Sequence, residues 1–168
     1  PARTIVCHLG SGSSVTALLH GKSMDNTMGY SPLEGLMMST RSGSIDPTAA
    51  EVLRTGMKLT RNAMQNYLNQ QSGLLGVSGK SDDIRELLEL ESKGNEAAAL
   101  ALSMYVLKIQ QAIGQMVATI GGVDALVFTG TVGERSAEIR KKEKKNLGYL
   151  DIHISLEANG KALGPTSI

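Results

Sequence analysis

Residues 125–136 read ALVFTGTVGERS, a short apolar run that breaks into two glycines and then turns charged. Ala125 to Phe128 predicts a buried strand, Thr129 to Gly133 a loop, and Glu134 to Asn146 a helix whose N-terminus faces that loop. A strand–loop–helix junction of this kind belongs to an open α/β sheet, where ligands settle at the carboxyl ends of the strands. Two more glycine-marked stretches lie upstream, HLGSGSS at His8 to Ser14 and PLEGLMMSTRSGSIDP at Pro32 to Pro47. Loops of small residues let backbone N–H groups approach an anion closely. Arg41, between Thr40 and Ser42, adds a fixed positive charge. The combination points to a phosphorylated nucleotide and a small anion.

Composition narrows the classes. The 168 residues suffice for one domain with a real core, and the 41% hydrophobic content is ordinary for a globular chain. Seventeen Lys+Arg against sixteen Asp+Glu leave a net charge of +1, without the basic excess of a dedicated nucleic-acid binder. One Phe, four Tyr and no Trp provide no stacking platform for single strands. The eight Met are read as flexible core filler. The single cysteine, Cys7, excludes an internal disulfide and a multi-cysteine zinc site, and its apolar flanks Ile5 and Val6 predict a buried strand thiol. His8, His20 and His153 fall on separate elements, so no metal site is expected. HExxH, CxxC, a nucleophile elbow and a P-loop are all missing from the sequence. No signal peptide is evident, and the apolar runs are too short to span a bilayer, so a cytoplasmic protein without membrane contact is expected. The chain starts at Pro1, not Met, and reads as a piece of something longer.

The pattern along the chain predicts strands at Arg3 to Leu9, Ser14 to His20 and Ser23 to Thr27, antiparallel and joined by tight turns. Gly29 to Asp46 is a long polar loop, a kind that is usually functional. Asp46-Pro47 signals a helix start, with the helix running from Pro47 to Arg54. Thr60 to Gln71 predicts a second helix. Ser81 is read as the cap of a third, with Leu87, Leu88 and Leu90 as its apolar face. Asn95 to Ile120 predicts one long helix, its core stripe drawn through Leu100, Met104, Leu107, Ile113 and Val117 and its end set by Gly121-Gly122. Ile152 to Ser155 reads as a last short strand. The KKEKK run, Lys141 to Lys145, reads as a solvated helix face.

Two readings stand for the HLGSGSS loop. It cradles phosphate oxygens while His8 donates to a phosphoryl group, or it is a hairpin turn with a satisfied histidine. Arg41 suits bidentate recognition of a carboxylate or phosphate, or is a solvent-exposed loop arginine. Glu34 or Asp46 could orient it, with Asp46 better suited to capping the next helix. Asp83 and Arg85, in the first turn of the third helix, hold a nucleotide's base or sugar, or serve as capping charges.

Taken together these segments resemble the acetate kinase family, from about Ile5 to Tyr149. HLGSGSS is similar to that family's HLGNG phosphate loop. MGYSPLEGLMMSTRSGSIDP resembles its most distinctive signature. SGLLGVSGKSDDIRE resembles its nucleotide-contacting segment, and FTGTVGERS its adenosine-binding GGxGEN loop. Propionate and butyrate kinases share parts of these patterns. The resemblance implies an α/β fold of ribonuclease-H-like, actin-like ATPase type, a mixed sheet flanked by helices. It implies transfer of the ATP γ-phosphoryl group, with Mg²⁺, to acetate or a short-chain carboxylate. His8 would then contact the phosphoryl group, and Arg41 would stabilise its charge and hold the carboxylate. Gly10, Ser11 and Gly12 would approach the phosphates, while Asp83, Ile84, Arg85, Gly130, Thr131, Val132, Gly133 and Arg135 would lie at the nucleotide.

This sequence departs from the family pattern at three of these positions. Ser11 and Arg135 stand where Asn is usual, and Thr131 stands where a glycine lets adenosine approach. The resemblance further implies a dimer and much longer proteins. Residues 1–168 are therefore expected to be a single, incomplete C-terminal domain on the nucleotide side, inactive alone. The alternative is a truncated, non-catalytic module that binds nucleotide or self-associates.

Overall fold

The computed structural model describes residues 1–144, 146–162 and 166–168. These fall into two compact units, one made of Pro1–Thr27 with Val106–Ile168, the other of Met28–Tyr105.

The first unit is built on a four-stranded sheet, order β3-β2-β1-β4. β1 (Arg3–Leu9), β2 (Ser13–Leu19) and β3 (Lys22–Asn26) form an antiparallel meander, as the pattern predicts. Ile5, Cys7 and Leu9 on β1 and Val15 and Ala17 on β2 are fully buried, while His8 is exposed. This period of two puts one face of the sheet in the core. β4 (Ala125–Thr129) pairs parallel to β1, from Thr4 opposite Ala125 to His8 opposite Thr129, so the sheet is mixed. Contrary to the sequence reading, β4 is not a fully buried strand: it is an edge of the sheet, and Val127 is 38% exposed. Arg3 clasps the start of this pairing, its guanidinium donating to Asp124 Oδ1 and Gly121 O and its backbone N–H to Asp124 Oδ2. The guanidinium holds the Asp124 carboxyl down at about 2.

Helices also differ from the pattern in places. The predicted single helix from Glu134 is two helices. The first, Gly130–Arg135, starts directly at the end of β4; the second, Ala137–Lys144, follows a break at Ser136. Residues 152–155 are not a strand; a 3₁₀ turn (Gly148–Leu150) and a short helix, Leu156–Lys161, close the chain instead. The KKEKK run is not wholly solvated, because Glu143 is fully buried. Lys145 of that run lies outside the described residues.

In the second unit, Pro47–Gly56 and Arg61–Gln70 are helices, the first capped by Asp46 as the sequence signals, the second by Thr60. Gly73–Ser78 is an additional helical turn within SGLLGVSG, a stretch whose glycines read as loop. The following helix, Ile84–Ser92, is capped by Asp83, not Ser81. Ser81 instead donates to Glu86 Oε2 and accepts from Asp83 N.

Numbered in chain order, these helices are α1 (Pro47–Gly56), α2 (Arg61–Gln70), α3 (Gly73–Ser78), α4 (Ile84–Ser92), α5 (Glu96–Ile120), α6 (Gly130–Arg135), α7 (Ala137–Lys144) and α8 (Leu156–Lys161). α5 is continuous across both units. Its core stripe runs through Ala98, Ala101, Leu102, Tyr105, Ile109, Ala112, Ile113, Met116 and Ile120. The predicted stripe shares Ile113 with this one, but Leu100 and Leu107 are 55% and 47% exposed. An apolar helix offers more than one stripe at helical spacing, and the buried one runs through Leu102, Tyr105, Ile109 and Met116. α5 is also long and apolar enough by length and composition to cross a bilayer, with half of its most apolar window buried inside the protein.

Candidate functional site

In the first unit the sheet register brings two of the three glycine loops together. His8 ends β1 on its exposed face, and Thr129 lies opposite it at the end of β4. Their side chains meet, His8 Nδ1 to Thr129 Oγ1 at 3.0 Å. With Nδ1 engaged, Nε2 is the ring nitrogen left for a ligand; the Thr129 hydroxyl, able to donate or accept, serves either tautomer. Thr129 was not singled out from sequence; its position on the strand next to His8 follows only from the long-range parallel pairing.

Gly130 comes next, with φ +78°. A Cβ there would stand 2.5 Å from Leu9 O and 3.2 Å from His8 Cε1, so only glycine lets the turn close against β1. Its N–H donates to Glu134 Oε1 at 3.1 Å, which fixes the first turn of α6. Thr131 and Arg135 are exposed on α6, Val132 is half-buried, and Gly133 is buried.

The HLGSGSS turn is tighter than a phosphate cradle read from sequence alone. Gly10 N–H is taken by Gly12 O at 3.0 Å, and Ser13 is buried with its hydroxyl on Gly10 O. Ser11 remains exposed at the tip, its hydroxyl without a partner among the described residues.

In the second unit Arg41 rides on a loop anchored by three consecutive buried side chains, Leu36, Met37 and Met38. Main-chain bonds lock that loop, Met38 N to Arg41 O, Leu74 N to Met38 O and Leu75 N to Ser39 O, each within 3.1 Å. Gly43 (φ +72°) turns it back so closely that a Cβ would meet Leu36 O at 2.5 Å. The missed α3 therefore serves to hold this loop. The Arg41 guanidinium itself is half-buried and only loosely held, by Pro32 O at 3.4 Å and Met38 Sδ at 3.7 Å. Neither carboxylate considered from sequence orients it. Asp46 caps α1, and Glu34 accepts from Tyr30 N. The charge is thus fixed in place by its backbone and left without a carboxylate partner among the described residues.

The same loop reaches the start of α4, Ser39 donating to Asp82 O at 3.1 Å. Asp83 accepts from Arg85 N at 2.8 Å and pairs with its guanidinium, which holds the Asp83 carboxyl at about 2. The Arg85 side chain is 88% exposed, whereas Ile84 packs in the core. His20 and His153 are exposed and apart from these groups. Among the described residues no group of three or more His, Cys, Asp or Glu could hold a metal ion.

Sequence reasoning missed two buried polar groups behind α6. Arg140 and Asn159 are both buried and joined by hydrogen bonds. Their only sequence signal is a charged and an amide residue on otherwise unremarkable amphipathic turns.

Comparison with known proteins places this geometry. The chain is 46% identical over 160 residues to an acetate kinase of Rippkaea orientalis, covering 95% of this chain and 40% of that protein. It is 48% identical over 157 residues to an acetate kinase of Methanosarcina acetivorans, covering 94% and 38%. Among solved structures, Porphyromonas gingivalis acetate kinase superposes with a TM-score of 0.92 at 40% identity, covering 98% of this chain and 41% of that one. A propionate kinase of Francisella tularensis gives 0.90 at 40% identity, covering 95% and 41%. The chain spans about two fifths of the length of these relatives. The fold is theirs, an actin-like ATPase α/β fold with a mixed sheet flanked by helices. The Acetokinase family model matches residues 1–168, and the chain belongs to that family.

Proposed function

We propose that residues 1–168 are the C-terminal, nucleotide-side domain of an enzyme that phosphorylates acetate or a similar short-chain carboxylate. A carboxylate oxygen attacks the γ-phosphorus of ATP in line, the bond to the β-phosphate oxygen breaks, and acyl phosphate and ADP leave. Such a transfer needs positioning and charge neutralisation more than covalent chemistry. The observation that carries this reading is Arg41, a loosely held guanidinium on a locked loop, without a carboxylate partner among the described residues. It binds the acid and meets the charge that develops on the transferring group. His8, with Nδ1 held by Thr129, presents Nε2 to a phosphoryl oxygen. Gly10, Ser11 and Gly12 lie along the phosphates. Gly130 to Gly133 with Arg135, and Asp83, Ile84 and Arg85, lie at the nucleoside. The propionate kinase among the neighbours leaves the acyl chain open between short acids.

Mg²⁺ enters in this reading with the nucleotide. The described residues offer no carboxylate cluster for it, so no step here is assigned to the ion. The reading carries with it a cytoplasmic enzyme that takes ATP, ADP and the acid, pairs with a second copy of itself, and has no nucleic-acid or membrane partner. A second reading, a non-catalytic module that binds nucleotide or self-associates, is favoured by one observation: Leu100 and Leu107 are exposed on α5.

A hydroxylamine trap for acyl phosphate separates the two. The 168 residues alone form no hydroxamate above buffer, because in-line transfer draws groups from beyond this chain. Substituted for the matching segment of the P. gingivalis enzyme, they support turnover, and Arg41→Ala lowers it about 10²–10³-fold. Turnover by the isolated chain that Arg41→Ala abolishes overturns the claim of inactivity. A folded, nucleotide-binding chimera without turnover favours the second reading.

A further inference from the structure

We propose that Arg140 is a positioning residue for the Gly130–Arg135 turn, anchored from behind by Asn159 of α8, and that this pair sets the turn's fit to its nucleotide. The nucleotide clause rests on the function proposed above; the mechanical clause stands on geometry alone.

α6 has six residues and cannot sustain itself as a helix. One end is fixed by the close approach of Gly130 to Leu9. At the other end, Arg140 Nη1 donates to Gly133 O at 2.8 Å and Glu134 O at 2.7 Å, satisfying carbonyls that the short helix leaves open. The rest of the guanidinium points the other way. Nε donates to Asn159 Oδ1 at 2.6 Å and Nη2 to Asn159 O at 2.8 Å. Asn159 Nδ2 in turn donates to Ala137 O at 3.0 Å, so the break between α6 and α7 is bracketed from both sides.

Arg140 is 2% exposed and Asn159 is 3% exposed. Among the described residues no carboxylate is paired with Arg140, and burial pushes its pKa down. Burying a cation on neutral carbonyls is costly, and an apolar side chain would pack there without that penalty. What an apolar residue cannot do is bridge two carbonyls on one element and an amide on another with a rigid plane of donors. The charge is kept for its geometry. A lysine at this position keeps the charge and loses the bridge.

The test pairs amide hydrogen exchange of the unliganded protein with calorimetric titration of Mg·ADP, both well below the melting temperature. In Arg140→Lys and in Asn159→Ala, exchange at residues 131–136 rises about tenfold or more, the loss of one charge-assisted hydrogen bond, while β1 and β2 keep their protection. Mg·ADP affinity falls by a similar factor. A lower melting temperature with unchanged exchange at 131–136 overturns the proposal and leaves Arg140 a packing residue. If the unaltered protein binds no Mg·ADP, the functional reading fails, and the exchange measurement still decides the positioning role. If Arg140→Lys does not fold, Asn159→Ala, which removes only the anchor, carries the test, and unchanged exchange there overturns the proposal.

Discussion

Glu143 sits within the electrostatic reach of the Cys7 thiol in the interior of the first unit. Burial pushes the thiol far above its usual range, and the charge of Glu143 adds to the push. Glu143 is fully buried, and both its carboxyl oxygens lack a hydrogen-bond partner among the described residues. Burial raises its pKa to about 9, so at neutral pH it is a protonated acid.

That acid makes stability depend on pH in a defined direction. Its folded value near 9 lies above the unfolded value of about 4.3. Between the two, the unfolded chain holds fewer protons than the folded one, so stability falls as pH rises, by at most about 1.4 kcal/mol per unit. Glu143's contribution is most favourable below pH ~4.3 and has eroded fully by pH ~9. Glu143→Leu removes the slope. Urea midpoints at pH 5, 7 and 8.5 should show a stabilisation over the unaltered protein that grows with pH. A constant difference would refute the assignment.

Gly130 is required by its contact with β1. Gly130→Ala places a methyl group against Leu9 O at a positive φ and should cost roughly 1–3 kcal/mol. Gly160→Ala is the control, since α8 leaves open space at that position and φ is ordinary; it should gain about 0.4–1 kcal/mol. Denaturant unfolding of both variants checks the pair. Equal effects would mean that the closure of the turn does not depend on glycine.

Thr131 is exposed on the first turn of α6, and under the function proposed above its β-branched side chain narrows the approach of a nucleoside. Millimolar Mg·ADP should therefore raise the melting temperature only slightly, far short of the ~2.7 kcal/mol given by a hundredfold excess over Kd. Thr131→Gly should enlarge the shift. An unchanged shift would show that the threonine is not what weakens binding.

Leu100 and Leu107 stand two turns apart on one exposed face of α5. If a second copy covers that face, sedimentation at micromolar concentration gives a dimer, and Leu100→Glu with Leu107→Glu gives a monomer. A concentration-independent monomer before substitution ends the homodimer reading.

The strands of the meander, the Asp46 cap and the inward Cys7 were legible because local periodicity and capping chemistry fix them. The failures share a cause. α3 hides under glycines because its hydrogen bonds go to the Arg41 loop, a tertiary demand no local pattern records. On α5 Ile113 was read correctly, but Leu100 and Leu107 were placed in the core because an apolar helix offers more than one stripe at helical spacing. At the site, His8, Arg41 and the glycine loops could be named from residue type and spacing. Thr129 and Arg140 could not, since their partners lie across β-pairing or on a later helix.

The parallel pairing of β1 with β4 has a consequence in time. Thr4 meets Ala125 across 121 residues of chain, and the whole second unit is threaded between them. At about 5–20 residues per second the first hairpin leaves the ribosome many seconds before its partner strand exists. The meander must wait with one edge open, while Met28–Tyr105, continuous in sequence, can finish folding. The order of assembly is therefore written into the topology: inner unit first, outer unit last, the Arg3–Asp124 pair closing behind it. Nascent chains stalled just past Ile120 should protect the inner unit from protease and leave β1 open to cleavage.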